Sequence, residues 1–309
     1  DTEGIVTEGE DVVDDGMVVM NKTNHEVAVK AVKGLGKRDK YMDFMEDACG
    51  PVTAKEQEYT IRTLKNARIN QVPYPHLFIQ EIFHPRVYAC VLSNMPQENS
   101  TNFQQTQRKP RFSIRLNAAA IGKAKLTNAK FWLSFKKLLV ATKAVWANKF
   151  NQVLITRKAT GVRAGEIDYA IDLSRDMPNW FIRPHTDSKA KLITTLYYLP
   201  ADRSQIQLGT AVFKKSGSKI THVKTAPFLP NTVFAFAPCD KSWHGVSEKQ
   251  LTDTADSTGI QARDTLQAFI RMKGSKNLDA GRCLGKNQWK ALVNRADRMK
   301  AKRSKARGL

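Results

Sequence analysis

Apolar positions change their spacing several times along this chain of 309 residues, and each change marks an element. Residues 17–33 alternate around Val18, Val27 and Val29, are rich in β-branched side chains and carry Asn24 between the two runs. That pattern predicts a short hairpin. Residues 54–70 bring Tyr59, Ile61 and Leu64 onto one helical face. Residues 99–111 are polar and Gln-rich with Pro110, which predicts a loop. The clearest helix is expected over 126–150. Leu126, Phe131, Phe135, Leu138, Leu139 and Trp146 recur at helical spacing and lysines fill the positions between. Residues 153–157 and 167–173 read as strands. A polar insertion spans 251–261. A last helix is expected over 286–303, with Trp289, Leu292, Val293, Ala296 and Met299 on its apolar face and basic residues on the rest.

Composition narrows the class. The hydrophobic share of 41% is that of a globular protein with a sizeable core. No apolar run approaches the ~20 residues that a membrane-crossing helix needs. The chain begins on an acidic stretch rather than a basic and apolar one, so a secretory signal is expected to be absent or to have been removed before residue 1. Cys49, Cys90, Cys239 and Cys283 are scattered, with no Cys-x-x-Cys pair. They are expected to be free thiols of a cytoplasmic, reducing compartment. The net charge of +21 is unevenly placed. The first sixteen residues carry seven acidic side chains and no basic one; residues 295–307 carry seven basic side chains against Asp297. A basic surface of this kind attracts anionic polymers or metabolites. The dispersed lysines, without interleaved aromatics, make nucleic acid the secondary expectation.

The candidate chemistry lies in two short segments. His185 and Asp187 are two residues apart, and in an extended chain such side chains point the same way. Trp243, His244 and Gly245 follow far downstream. Two imidazoles and one carboxylate on one face, with open positions opposite, is the ligand set of a non-haem Fe(II) oxygenase.

The surrounding order of residues sharpens this. His185 and Asp187 are followed by the apolar run 191–200 with Tyr197 and Tyr198, and by a Gly-initiated run from Gly209. Next come the segment from Phe228 to Phe236, His244, and a final run opening on Arg263 and Thr265. Over residues 66–275 this order resembles the Fe(II)/2-oxoglutarate-dependent dioxygenases, in particular their prolyl-4-hydroxylase-like branch. The resemblance implies an α+β, mostly β fold. Its double-stranded β-helix, or jelly-roll, core spans residues 66–280 and is buttressed by helices. Residues 1–65 form an N-terminal extension, and 281–309 a basic C-terminal helix and tail. It implies iron held by His185, Asp187 and His244, with 2-oxoglutarate and O2 at the open positions and ascorbate as a stimulant. Decarboxylation to succinate would then be coupled to hydroxylation of a small-molecule or peptide substrate. The distal carboxylate of 2-oxoglutarate is expected on Arg263, whose guanidinium fork matches a carboxylate. Thr265, Tyr198 and Thr194 would assist, and Arg271 is the alternative anchor. Arg175, Arg183, Trp180 and Trp243 are candidates for the substrate pocket. Related halogenases carry a small residue where Asp187 stands, so Asp187 points to hydroxylation. His76 and His84 are expected in loops or caps rather than on a metal.

Three other readings fit parts of the pattern. One is an oxygenase that modifies nucleic acid through the basic surface. Another is an inactive jelly-roll binding module, and a third is a zinc or manganese enzyme of the cupin type, whose ligand sets usually hold more histidine.

Overall fold

In a computed structural model, residues 49–96, 104–105, 110–123, 126, 128–151, 154, 167–188, 190–247 and 262–272 are described. The predicted hairpin at 17–33, the polar insertion and the terminal helix lie outside them.

Helix α1 (Ala54–Asn66) starts on a capping box. The Thr53 hydroxyl accepts from the Glu56 backbone N–H, and the Glu56 carboxylate accepts from the Thr53 backbone N–H. The helix ends four residues short of the expected boundary, where Ala67 turns extended. Lys149 Nζ donates to the Lys65 and Ala67 carbonyls there, satisfying groups the helix leaves open. Its buried face is Glu56, Thr60 and Leu64; Tyr59 and Ile61, the expected apolar partners of Leu64, are half-buried. Glu56 takes the inner face because Arg86 donates to both of its carboxylate oxygens at 2.5 and 2.7 Å.

Strand β1 (His76–Ile79) leads to helix α2 (Pro85–Ser93), which His84 caps by accepting from Arg86 N–H. His76 is a buried strand residue, not a loop one. Cys49 and Cys90 form a disulfide, and Cys239 is also disulfide-bonded. The expectation of free thiols is therefore wrong: no described cysteine is free. Spacing along the chain concealed this, because the 41-residue separation closes only when α2 folds back beside Cys49.

The segment read as a loop contains β2 (Gln104–Gln105) and, at its end, the start of β3 (Arg111–Arg115). The two pair antiparallel. After α3 (Ala118–Lys123), the long predicted helix is split into α4 (Ala129–Ala141) and α5 (Lys143–Lys149). The split falls at Thr142, whose hydroxyl donates back to the Leu139 carbonyl at 2.6 Å. The predicted strand at 153–157 is not one where it is described, since Leu154 is helical and its N–H reaches Phe150 O.

The remaining strands are β4 (Ile167–Asp176), β5 (Ile182–His185), β6 (Lys191–Tyr198), β7 (Thr210–Ser216), β8 (Lys219–Ala226), β9 (Thr232–Phe236), β10 (His244–Val246) and β11 (Arg263–Met272). They make two antiparallel sheets. One has seven strands in the order β1-β9-β6-β11-β4-β3-β2, the other four in the order β5-β10-β7-β8. β7 and β8 are joined by a two-residue turn whose Gly217 has φ +58°, a region open to glycine.

Alternation sorts the large sheet into two faces. Leu266, Ala268 and Ile270 of β11, Ile193 and Tyr197 of β6, and Val233 and Ala235 of β9 face Phe131, Phe135 and Leu138 of α4. Phe83 stacks on Tyr197 there, and Trp146 donates to the Tyr197 hydroxyl at 3.3 Å. Each such large apolar side chain stabilises the fold by roughly 1.5–3 kcal/mol when buried. The opposite face carries Tyr198, Phe234 and Phe236, which pack with Leu208, Val212 and Phe228. That second core lies between the sheets and floors the site.

Candidate metal centre and its cavity

His185 closes β5, and His244 opens β10 directly opposite it. The rings approach to 4.4 Å between centroids. Gly245 makes the approach possible: a Cβ there would lie 2.6 Å from the Ile182 carbonyl oxygen. Asp187 stands two residues past the end of β5, with Oδ1 3.9 Å from His185 Nε2 and Oδ2 4.0 Å from His244 Nε2. One ligand atom from each of the three residues falls within 4.8 Å of the other two.

The outward atoms are set by the inward ones. Each ring places Nδ1 2.9 Å from a backbone carbonyl, His185 on Arg183 O and His244 on Ser242 O. An Nδ1–H donated there leaves Nε2 as a lone pair aimed at its neighbours, the tautomer a metal takes. Burial pushes the His244 imidazole down to about 4, and the Asp187 carboxylate only partly opposes it, so the ring is neutral at neutral pH. Burial acts to raise the Asp187 carboxyl. The charge that His244 gains only below about pH 4, the Lys191 ammonium, and hydrogen bonds from Lys191 and Thr194 overcome that and hold it at about 2. Lys191 Nζ and Thr194 Oγ1 each sit 2.5 Å from one Asp187 oxygen. The set is thus two imidazoles that present Nε2 and a fixed carboxylate, which suits a divalent transition metal such as Fe(II).

The triad opens onto a cavity that also includes Thr194, Trp180, Arg111 and Arg263. Arg263 is buried; its Nε donates to Leu208 O at 2.6 Å and its Nη1 to Asp176 Oδ2 at 2.8 Å. Thr194 lines the cavity, but its hydroxyl is engaged by Asp187. Tyr198 lies below Arg263, its ring centroid 5.8 Å from the guanidinium carbon, and its hydroxyl donates to Thr210 Oγ1 at 2.9 Å. Burial pushes that phenol up, so it stays protonated. Thr265 pairs with Tyr198 across the strands and is fully buried, accepting from the Gln267 amide at 3.3 Å.

Of the four expected substrate residues, Trp180 alone lines the cavity. Arg175 makes a two-pronged ion pair with Asp264, both distances 2.8 Å. Arg183 is exposed and contributes its backbone carbonyl to His185. Trp243 donates to Asp240 O and lies beneath Lys215 at 4.6 Å. Period two explains Trp243: its neighbour His244 points inward, so it points out. Sequence reasoning missed Arg111, Asp176, Lys191 and Gly245. Asp176 lies three residues past the strand expected at 167–173, on the part of β4 that the sequence pattern did not reach, and Arg111 lay in the supposed loop.

No family model and no curated protein matches the chain. Among solved structures it is similar to a prolyl-4-hydroxylase from Pseudomonas putida, at 11% identity and TM-score 0.45, over 70% of this chain and 100% of that one. It is similar to a prolyl 4-hydroxylase from Phytophthora capsici, at 16% and 0.46, over 80% and 76%. A third match is HygX from Streptomyces hygroscopicus, solved with nickel and 2-oxoglutarate bound, at 10% and 0.36, over 75% and 96%.

Proposed function

We propose that the chain is an Fe(II)- and 2-oxoglutarate-dependent dioxygenase that hydroxylates a C–H bond of a small-molecule or peptide substrate, on a double-stranded β-helix formed by the two sheets. The observation that carries this reading is the triad. Two imidazoles and a carboxylate converge within 4.8 Å, and both rings are held by their inner nitrogens so that Nε2 is available. A merely structural polar cluster has no need of that tautomer in both rings.

His185, Asp187 and His244 would hold the iron. When bound, the iron supplies the redox chemistry that couples decarboxylation of 2-oxoglutarate to transfer of an oxygen atom. The chain's own residues orient the partners and shield them from water. Thr194 and Lys191 fix the Asp187 carboxylate, Phe236 packs 4.6 Å from the His244 ring, and Arg263 presents a cation to the distal carboxylate of the co-substrate. Tyr198 and Thr265 support that end from behind. Asp187 occupies one metal position with a carboxylate, which supports hydroxylation over halogenation.

The test is succinate formation from 2-oxoglutarate with Fe(II), O2 and ascorbate, combined with a substrate screen read by mass for the gain of one oxygen atom. Activity in the native chain that vanishes in His185→Ala, Asp187→Ala and His244→Ala is expected. Undiminished succinate formation in any of the three sinks the proposal.

A further inference from the structure

Arg111, Asp176 and Arg263 form a row across three adjacent strands, because Asp176 is the register partner of Arg111 on β3 and of Arg263 on β11. Asp176 is fully buried. Arg111 grips it from one side, Nε to Oδ1 at 2.5 Å and Nη2 to Oδ2 at 3.2 Å, and stacks on Trp180 at 4.0 Å. Arg263 Nη1 reaches Oδ2 from the other side at 2.8 Å, while Leu208 O fixes its Nε. Two guanidiniums therefore share one carboxylate, and a unit of positive charge is left over. Both line the cavity of the triad. Among the described residues, Arg111 Nη1 and Arg263 Nη2 have no hydrogen-bond partner.

A surplus cation at a largely dry position is costly unless an anion completes it. One carboxylate between two guanidiniums can be balanced by a second one on their remaining nitrogens, which gives four groups of alternating charge. We infer that Arg111 is a second anchor for a ligand carboxylate beside Arg263, and that Asp176 is the positioning residue that holds the two guanidiniums as a pair. The inference rests on the proposed function, in which that ligand is the distal carboxylate of 2-oxoglutarate. It adds a consequence: the site selects dicarboxylic 2-oxo acids through two cations, not one.

The experiment measures binding of 2-oxoglutarate and of 2-oxobutyrate, which lacks the distal carboxylate, to the full chain loaded with Co(II), by calorimetry. The native chain is expected to prefer 2-oxoglutarate strongly. Arg111→Gln is expected to lower that preference by roughly tenfold or more, the worth of a charge-assisted hydrogen bond. Arg111→Lys, which keeps the charge and the fold's ion pair without the fork, recovers part of it. A structural role alone changes the melting temperature and leaves the preference between the two acids intact. A native chain that binds both acids with equal affinity overturns the inference, as does an unchanged preference in both Arg111 variants; 2-oxoglutarate binding at the triad still stands in those cases. A native chain that binds neither acid overturns the proposed function itself, and the inference with it.

Discussion

The two ends of the cavity are built on opposite principles. At the triad end, His185 and His244 turn Nε2 toward Asp187 without pairing closely to it, their Nδ1 atoms rest on backbone carbonyls, and Lys191 and Thr194 only hold the Asp187 carboxylate in place. At the other end, Arg263 and Arg111 are already clasped on Asp176. The first is arranged for something that must come from outside; the second contributes to the fold before any ligand arrives. Mutation should separate them. Asp187→Asn, nearly isosteric, is expected to cut metal affinity by about a thousandfold, more than the ~10–100-fold typical of losing an outer-shell partner. Its circular dichroism should be unchanged. Metal affinity by calorimetry decides, and a loss under tenfold would remove Asp187 from the ligand set.

Arg263→Ala should do the reverse. It strips a cation from a buried carboxylate and a donor from Leu208 O, at a cost of about 3–5 kcal/mol in stability. Urea denaturation measures this. Metal affinity in the variant that remains folded should stay within about twofold, since Arg263 makes no described contact with the triad.

The contrast also explains what was legible in the sequence. The triad follows a short-range rule at its first two ligands, and the outer partners of both rings lie two residues away, so local spacing exposes it. The charge row draws one residue from each of three strands, and its members become neighbours only by register. Alternation predicted β4 and the long helical stretch because one face of each is continuously apolar. It failed at β3, whose residues are mostly half-buried, and at Thr142, where a single hydroxyl interrupts a helix whose apolar pattern carries on. The disulfide failed for the reason the charge row did.

A change of intermediate size lies between the two ligand strands. Gly245→Ala places a methyl 2.6 Å from Ile182 O, a backbone atom that moves only if β5 moves. The expected cost is about 1–3 kcal/mol in stability. Because His185 sits on β5, metal affinity should fall roughly tenfold as well. A drop in stability alone would show that β5 shifts without spreading the ligands.

Protonation gives a finer separation. The His244 imidazole is held at about 4 against an ordinary 6.5, so the unfolded chain binds more protons between those values. The stability this residue confers is present above about pH 6.5 and is lost as pH falls toward 4. Glu56 in the first turn of α1, held at about 2 against 4.5 by Arg86 and the cap despite its burial, acts in a lower window, from about 4.5 down to 2. In metal-free protein, His244→Gln should flatten the melting temperature above pH 4.5, and Glu56→Gln only below it. Identical pH profiles for the two variants would contradict the separation.

The smallest effect is expected beside His244 on the face that alternation turns outward. Lys215 lies over the Trp243 ring at 4.6 Å, on the far side of β10 from the triad. Lys215→Ala removes a cation–π contact at an accessible position, worth about 0.5–1 kcal/mol. It should leave metal affinity within experimental error. Trp243 is adjacent to a ligand in sequence as Gly245 is, yet it carries no ligand-facing atom, and its Nε1 is spent on Asp240 O. Trp243→Phe should therefore resemble Lys215→Ala rather than Gly245→Ala. Calorimetry on all three, with the same metal, checks the point. If Trp243→Phe weakens metal binding as much as Gly245→Ala does, the two faces of β10 are not independent, and the triad is held by its outer packing as well as by its backbone carbonyls.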